Sequence, residues 1–234
     1  MVDSGHESTY ITPISGGYIL ADSVQRSALA GRAIGEGLER LMRFSGYSRP
    51  LSSYEIHSLK KKYLRIAPDR KLRGVLAGEG GFYRSCVLPS GERLALNEEV
   101  FELGELLFAP REFGLDGQGV AEKLLAAVRN SPIDLRLELM DNVVVFGGNS
   151  CLANFEQRLQ REFDRLWYIG NSDNKNTASP LCFGKSPHKE FHTYRGLFHL
   201  AQVAKEKDMV TKKEYREFGA VQIYLRKNIN KLSF

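Results

Sequence analysis

The chain has 234 residues, 42% hydrophobic and 26% charged, with a net charge of +5 and a pI near 9.0. That size suits one large globular domain or two small lobes, and the basic excess is too small to argue nucleic-acid binding by itself. No apolar run approaches the roughly 18 residues of a membrane span, and MVDSGHES lacks the basic start and apolar core of a secretory signal.

Met1 to Ile14 reads as a hairpin, with Asp3-Ser4-Gly5 as its turn and Thr9 to Ile14 alternating as a strand. Almost nothing precedes Asp3, whereas a hairpin needs an incoming strand of several residues; the reading is that a preceding part is missing. Ser23 to Met42 carries helical spacing through Leu29, Ile34, Leu38 and Leu41, with an interruption expected at Gly31. Ser52 or Ser53 can cap a helix running from Tyr54 to Ile66. Lys60, Lys61 and Lys62 on that helix fit a solvated face more readily than a ligand site.

Residues 70–81 are glycine-rich and charged, and read as an exposed loop. Phe82 to Leu88 and Glu92 to Leu96 form a hairpin about Pro89-Ser90-Gly91. Leu103 to Phe108 is a short apolar segment stopped by Pro110. An amphipathic helix is predicted over Gly119 to Asn130, and a second over Ile133 to Met140, capped by Ser131.

The organising stretch is DNVVVFGGNSCLANFEQRLQREFDRL, residues 141–166. Val143 to Phe146 is an apolar, β-branched run suited to a strand buried on both faces. Gly147 and Gly148 allow a sharp turn. Leu152, Phe155, Leu159, Phe163 and Leu166 then line one helix face, leaving Arg158, Gln160, Arg161 and Asp164 to solvent. A glycine turn at the carboxyl end of a buried strand is where an open α/β sheet accepts a ligand, although such turns also serve only as punctuation.

Beyond it, Leu181 to Phe183 is a short strand candidate, residues 184–189 a basic loop, and Phe191 to Ala204 a helix or a strand followed by one. Thr211 can cap a short helix through Glu214 and Tyr215, and the C-terminal residues are basic.

No GxSxG, HExxH, CxxC or GxxxxGK[ST] occurs. Cys86, Cys151 and Cys182 and the five histidines show no metal-site spacing, which favours a reduced, intracellular setting. Asp3, Ser4 and Gly5 could place a carboxylate and backbone amides at a phosphate, because successive N–H groups in a tight turn bind anions. An ordinary Asx turn would look the same.

Several segments, in order, resemble the C-terminal half of the actin and actin-related protein family. They are MVDSGHESTYITPISGGYIL, ALAGRAIGEGLERLM, VLPSGERLALNEEVFELGELLFAP, VVVFGGNSCLANFEQRLQREF and MVTKKEYREFGA. Within the family, NEEVFELGELLFAPREFGL, FGGNS and HTYRG are most similar to the nuclear, sixth-type branch.

The resemblance implies an α/β fold: one lobe of the actin-like (RNase H-like) ATPase fold, with an inserted helical subdomain. Residues 1–29 and 115–190 would form the third subdomain, 30–114 the fourth, and 191–234 the tail of the first. Asp3, Ser4 and Gly5 match the second phosphate loop. Gly147 and Gly148 match the glycines where the nucleotide meets the backbone, Lys60 the lysine of the adenosine pocket, and Lys189 the lysine by the adenine.

There are departures from the family pattern. His6 and Glu7 replace Asp and Gly in the loop, Lys61 replaces a glutamate expected at the nucleoside, and Leu152 stands where an aromatic residue lies by the adenine. Glu7 would repel phosphate unless it turns away.

By the resemblance, the first phosphate loop and the groups that organise magnesium and the attacking water precede Met1. The expectation is therefore weak ATP or ADP binding, with Mg only alongside nucleotide, and no ATPase activity by these residues alone. The leading expectation is a non-catalytic structural subunit of a nuclear chromatin-remodelling complex. The alternatives are a cytoskeletal actin-like ATP-binding filament protein, or a fragment without function. Either partner set would be protein subunits, in the nucleus or cytoplasm, with no sequence-specific nucleic acid and no membrane. A lobe standing alone would also expose apolar surface that needs a partner.

Overall fold

The computed structural model describes residues 1–44, 47, 49–69, 84–96, 99–170, 181–185, 187–205 and 209–226. The loop predicted over 70–81, residues 171–180 and the residues after 226 lie outside them. The chain forms two compact units, Met1–Glu190 and Phe191–Phe234.

The first unit is built on a four-stranded mixed sheet. Strands β1 (Val2–Ser4) and β2 (Thr9–Ile11) pair antiparallel, with Asp3 opposite Tyr10. After a small hairpin of β3 (Ile14–Ser15) and β4 (Tyr18–Ile19), β5 (Gln25–Ser27) adds to the far edge of β2. The hairpin turn lies over Gly5 to Ser8, not over Asp3 to Gly5, and the incoming strand expected to be too short pairs on both of its edges. Gln25–Ser27 is a strand where the periodicity suggested a helix. The helix begins at Gly31, as α1 (Gly31–Phe44).

Helix α2 (Ser53–Tyr63) starts at a reciprocal cap: Ser52 Oγ accepts the Glu55 N–H, and the Glu55 carboxylate accepts the Ser52 N–H. Strands β6 (Arg84–Val87) and β7 (Arg93–Leu96) form the predicted hairpin. Its alternation buries Cys86, Leu88, Leu94 and Leu96. Helix α3 (Glu99–Glu105) follows and packs against α1; it takes in only the start of the apolar segment Leu103–Phe108, whose remainder is a buried turn.

Helix α4 (Val120–Asn130) buries Val120, Leu124, Leu125 and Val128 against the sheet. A single 3-10 turn and the short α5 (Arg136–Asp141) follow. Ser131 caps neither; its hydroxyl donates back to the Ala127 carbonyl at 2.8 Å, closing the end of α4.

Strand β8 (Val145–Phe146) runs parallel to β1, Val2 facing Val145 and Asp3 facing Phe146. Val143 makes a parallel bridge to Phe183 on its other side. Val143 and Val145 are buried, while Val144 and Phe146 are only half-buried, so one face of this run remains partly open. Helix α6 (Phe155–Gly170) starts after an extra 3-10 turn at Gly148–Cys151, three residues later than the apolar spacing from Leu152 suggested. Phe155, Leu159 and Phe163 enter the core, but so does Arg158, which the spacing assigned to solvent.

In the second unit, α7 (His192–Val203) is a helix throughout and has no buried residue. Helix α8 (Lys212–Arg226) is capped as predicted, Thr211 Oγ1 accepting the Glu214 N–H at 3.1 Å, and it is kinked at Gly219.

Candidate functional site

The pairing of β1 with β8 brings the two glycine-bearing turns of the sequence together. Gly147 has φ of 91°, a conformation that favours glycine, and its N–H donates to the Lys189 carbonyl at 3.0 Å. A Cβ on Gly147 would lie 2.5 Å from the Ser4 carbonyl oxygen and 2.7 Å from Asp3 Oδ1. No side chain fits between these backbones. Gly148 differs, with nothing within 4 Å of where its Cβ would stand.

Asn149 ties the turns to each other. Its Nδ2 donates to Gly5 O at 2.7 Å and to Ser4 Oγ at 3.1 Å. Ser4 Oγ also meets Thr9 Oγ1 at 3.0 Å and is buried, so this hydroxyl holds the hairpin to the glycine turn. Gly5 O accepts the Gly31 N–H at 3.0 Å, and His6 O accepts the Arg32 N–H at 2.7 Å. The start of α1 is thereby fixed against the β1–β2 turn. Lys60 on α2 reaches over and donates from Nζ to Gly31 O at 2.6 Å.

These elements enclose a pocket of about 180 Å³, lined in part by Gly5, Gly31, Lys60, Gly148, Leu152 and Glu190. Ile34, Leu64 and Leu152 provide apolar wall, and His6, His57, Lys60 and Lys61 polar or cationic groups. Enclosed ligand sites usually run to ~300–1,000 Å³, so this pocket suits one part of a ligand. Burial lowers the pKa of the Lys60 ammonium and raises that of the half-buried Asp3 carboxyl.

Of the site residues read from the sequence, Gly5, Lys60 and Gly148 line this pocket. Asp3, Ser4 and Gly147 form the backbone junction beside it. The Gly5 N–H is committed to the Ser8 carbonyl at 3.2 Å, so it is not presented to an anion in this conformation. Lys60 is half-buried and hydrogen-bonded, unlike its exposed neighbours Lys61 and Lys62, so three adjacent lysines are not one solvated face.

Lys189 is not brought to the pocket. Its ammonium pairs with Glu156 on α6, and Lys189 lines an adjoining, larger cleft with His188, Asn154 and Gln157, which shares Cys151 and Leu152 with the pocket. The neighbouring Glu190 lines the pocket instead. Glu7 turns to Arg32 at 3.2 Å and to His6 at 3.6 Å, so its charge is partnered. Asn149, Gly31 and Glu190 are not among the site residues that the sequence indicates: Gly31 is legible there only as a helix interruption, and Asn149 only as part of the FGGNS string. Among the described residues no group of His, Cys, Asp and Glu could hold a metal ion, and no helix is long and apolar enough to cross a membrane.

A family model described as Actin matches residues 1–228. The chain is 30% identical over 227 residues to actin-related protein 2 of Drosophila melanogaster, covering 94% of this chain and 57% of that protein. It is 28% identical over 227 residues to actin-related protein 2 of Saccharomyces cerevisiae, covering 94% and 58%. To actin-related protein 2 of Caenorhabditis briggsae it is 31% identical over 229 residues, covering 94% and 58%. The chain thus spans somewhat under three fifths of the length of the curated relatives it matches.

Proposed function

The chain belongs to the actin family, and from that premise we propose that it is a cytoskeletal actin-related protein whose pocket holds ATP or ADP. The observation that carries this is the backbone junction of Gly147 with Asp3 and Ser4, beside an open Gly148 and a lysine-lined pocket. A cradle that a Cβ would fill, next to open space, suits a ligand that approaches the main chain. Lys60 and the residues about Gly31 would hold the nucleoside end. The β1–β2 turn, with Asp3 at its start, would face the phosphates, and magnesium would arrive only with the nucleotide.

The three relatives described above bear the name of the second type, not the sixth. On that ground the cytoskeletal reading stands ahead of a nuclear chromatin-remodelling subunit, and protein subunits of a cytoskeletal assembly are the proposed partners.

Phosphoryl transfer depends almost wholly on positioning and charge stabilisation. The residues of this chain supply one side of such a site, and in this proposal they bind nucleotide without turning it over. Titration calorimetry with Mg-ATP tests the binding; heat that K60A leaves unchanged would overturn the pocket assignment. Steady-state turnover that scales with purified protein and survives D3A would overturn the non-catalytic reading. An affinity capture that returns chromatin-remodelling subunits in place of cytoskeletal ones would reverse the order of the two assemblies.

A further inference from the structure

Glu190 is the carboxylate among the residues lining the pocket. It stands beside the lysine that the family resemblance assigned to the adenine, while that lysine is turned away to Glu156. Lys61, which also lines the pocket, occupies the position where the resemblance expects an acid. The carboxylate at the pocket comes instead from the 3-10 turn Lys189–Phe191, and the extra ammonium from α2.

The carboxylate is held in place. The Cys151 thiol donates to Glu190 Oε2 at 3.6 Å, and Cys151 is the last residue of the Gly148–Cys151 turn. The carboxylate also accepts its own backbone N–H; this, the thiol and the charges of Lys61 and His188 keep its pKa below the usual range against the effect of burial. Two carboxylate oxygens offer about four acceptor positions, so these partners leave capacity toward the pocket. Leu152, Leu64 and Ile34 supply apolar surface on which a flat ring can lie. A flat heterocycle seated there meets an acceptor at Glu190, and an acceptor selects a ring that carries a donor.

We infer that Glu190 is the residue that reads the base, accepting a hydrogen bond from the exocyclic amine of a purine nucleotide. This rests on the nucleotide reading of the pocket and adds the group that gives it selectivity. A hydrogen bond to a charged acceptor contributes more than a neutral one, and a site built to receive a donor rejects the analogue that lacks it.

The test compares ATP with purine riboside triphosphate, which differs only in lacking the 6-amino group. Affinities are measured by calorimetry on the full chain and on E190A and E190Q. Glu190 is exposed and packs in no core, so matching melting curves establish that the variants fold. The parent is expected to prefer ATP by about tenfold. E190A should bring the ratio close to one chiefly by weakening ATP, and E190Q should fall between. A ratio unchanged in E190A, with both nucleotides still bound, overturns the role of Glu190 and leaves the pocket assignment standing. If neither nucleotide binds the parent, the pocket reading falls and this inference falls with it.

Discussion

The guanidinium of Arg158 is clamped by the carboxylate of Glu105 through contacts of 2.5 and 2.7 Å, with both side chains fully buried. Arg158 also donates to the Ala67 carbonyl and to Glu162, each at 3.0 Å, and lies over the Phe108 ring. Burial would disfavour its charge, but the hydrogen bonds and charge of Glu105 more than offset that and hold its pKa above the ordinary value. One side chain on α6 thus fastens α3 and, at Ala67, the segment that follows α2.

Removing either partner strands a buried charge. E105A or R158A should lower unfolding stability by about 3–5 kcal/mol. The joint replacement E105L/R158M should recover a large part of it, since apolar groups of similar size need no partner. Urea denaturation followed by circular dichroism checks both. Equal losses in the single and joint variants would count against the clamp.

At the glycine turn, G147A should cost about 1–3 kcal/mol. The φ of 91° disfavours a side chain, and the added methyl meets the Ser4 carbonyl. G148A meets nothing within 4 Å and should melt within a degree or two of the parent. If the nucleotide approaches this backbone, G148A should nevertheless weaken Mg-ATP binding severalfold. A thermal melt paired with calorimetry separates the two effects.

Glu55 gives a pH dependence. Hydrogen bonds from Arg49 and from the Ser52 N–H hold its carboxyl near pKa 2, against about 4.5 ordinarily. The folded form therefore binds this proton less readily than the unfolded one. The contribution is full above about pH 4.5 and is lost as pH falls toward 2. E55Q should melt below the parent at pH 7, and the gap should narrow through that acid window. Melting curves at pH 7, 4 and 3 check the sign.

In the second unit, Leu197, Phe198 and Leu200 on α7 are all more than half exposed. A helix with no buried face gains nothing from packing. The isolated chain should self-associate, and L197D/L200D should make it monodisperse in light scattering. A parent that is already a monodisperse monomer would contradict this.

Local rules made much of the fold readable. The Ser52 cap, the Pro89-Ser90-Gly91 hairpin, the Thr211 cap and the apolar face of α4 each depend on residues within a few positions of one another. Arg158 was misread because its partner lies 53 residues away, and periodicity ranks an arginine by type and not by company. The site was half readable for the same reason. Gly5, Lys60 and Gly148 belong to turns or a regular helix, whereas Lys189 and Glu190 sit after a loop with no period, where nothing local says which of two neighbours faces inward.

The parallel pairing of Val2 with Val145 has a consequence for how the chain acquires its shape. The β1–β2 hairpin can form early from local contacts, but one edge of β1 has no partner until a stretch about 140 residues later has been made. At ~5–20 residues per second of synthesis, that edge waits roughly 7–30 s. An unpaired strand edge invites the wrong neighbour. The nascent chain is therefore most exposed to mispairing during that interval, and a binder that occupies the edge of β1 until β8 emerges should raise the yield of correctly folded protein.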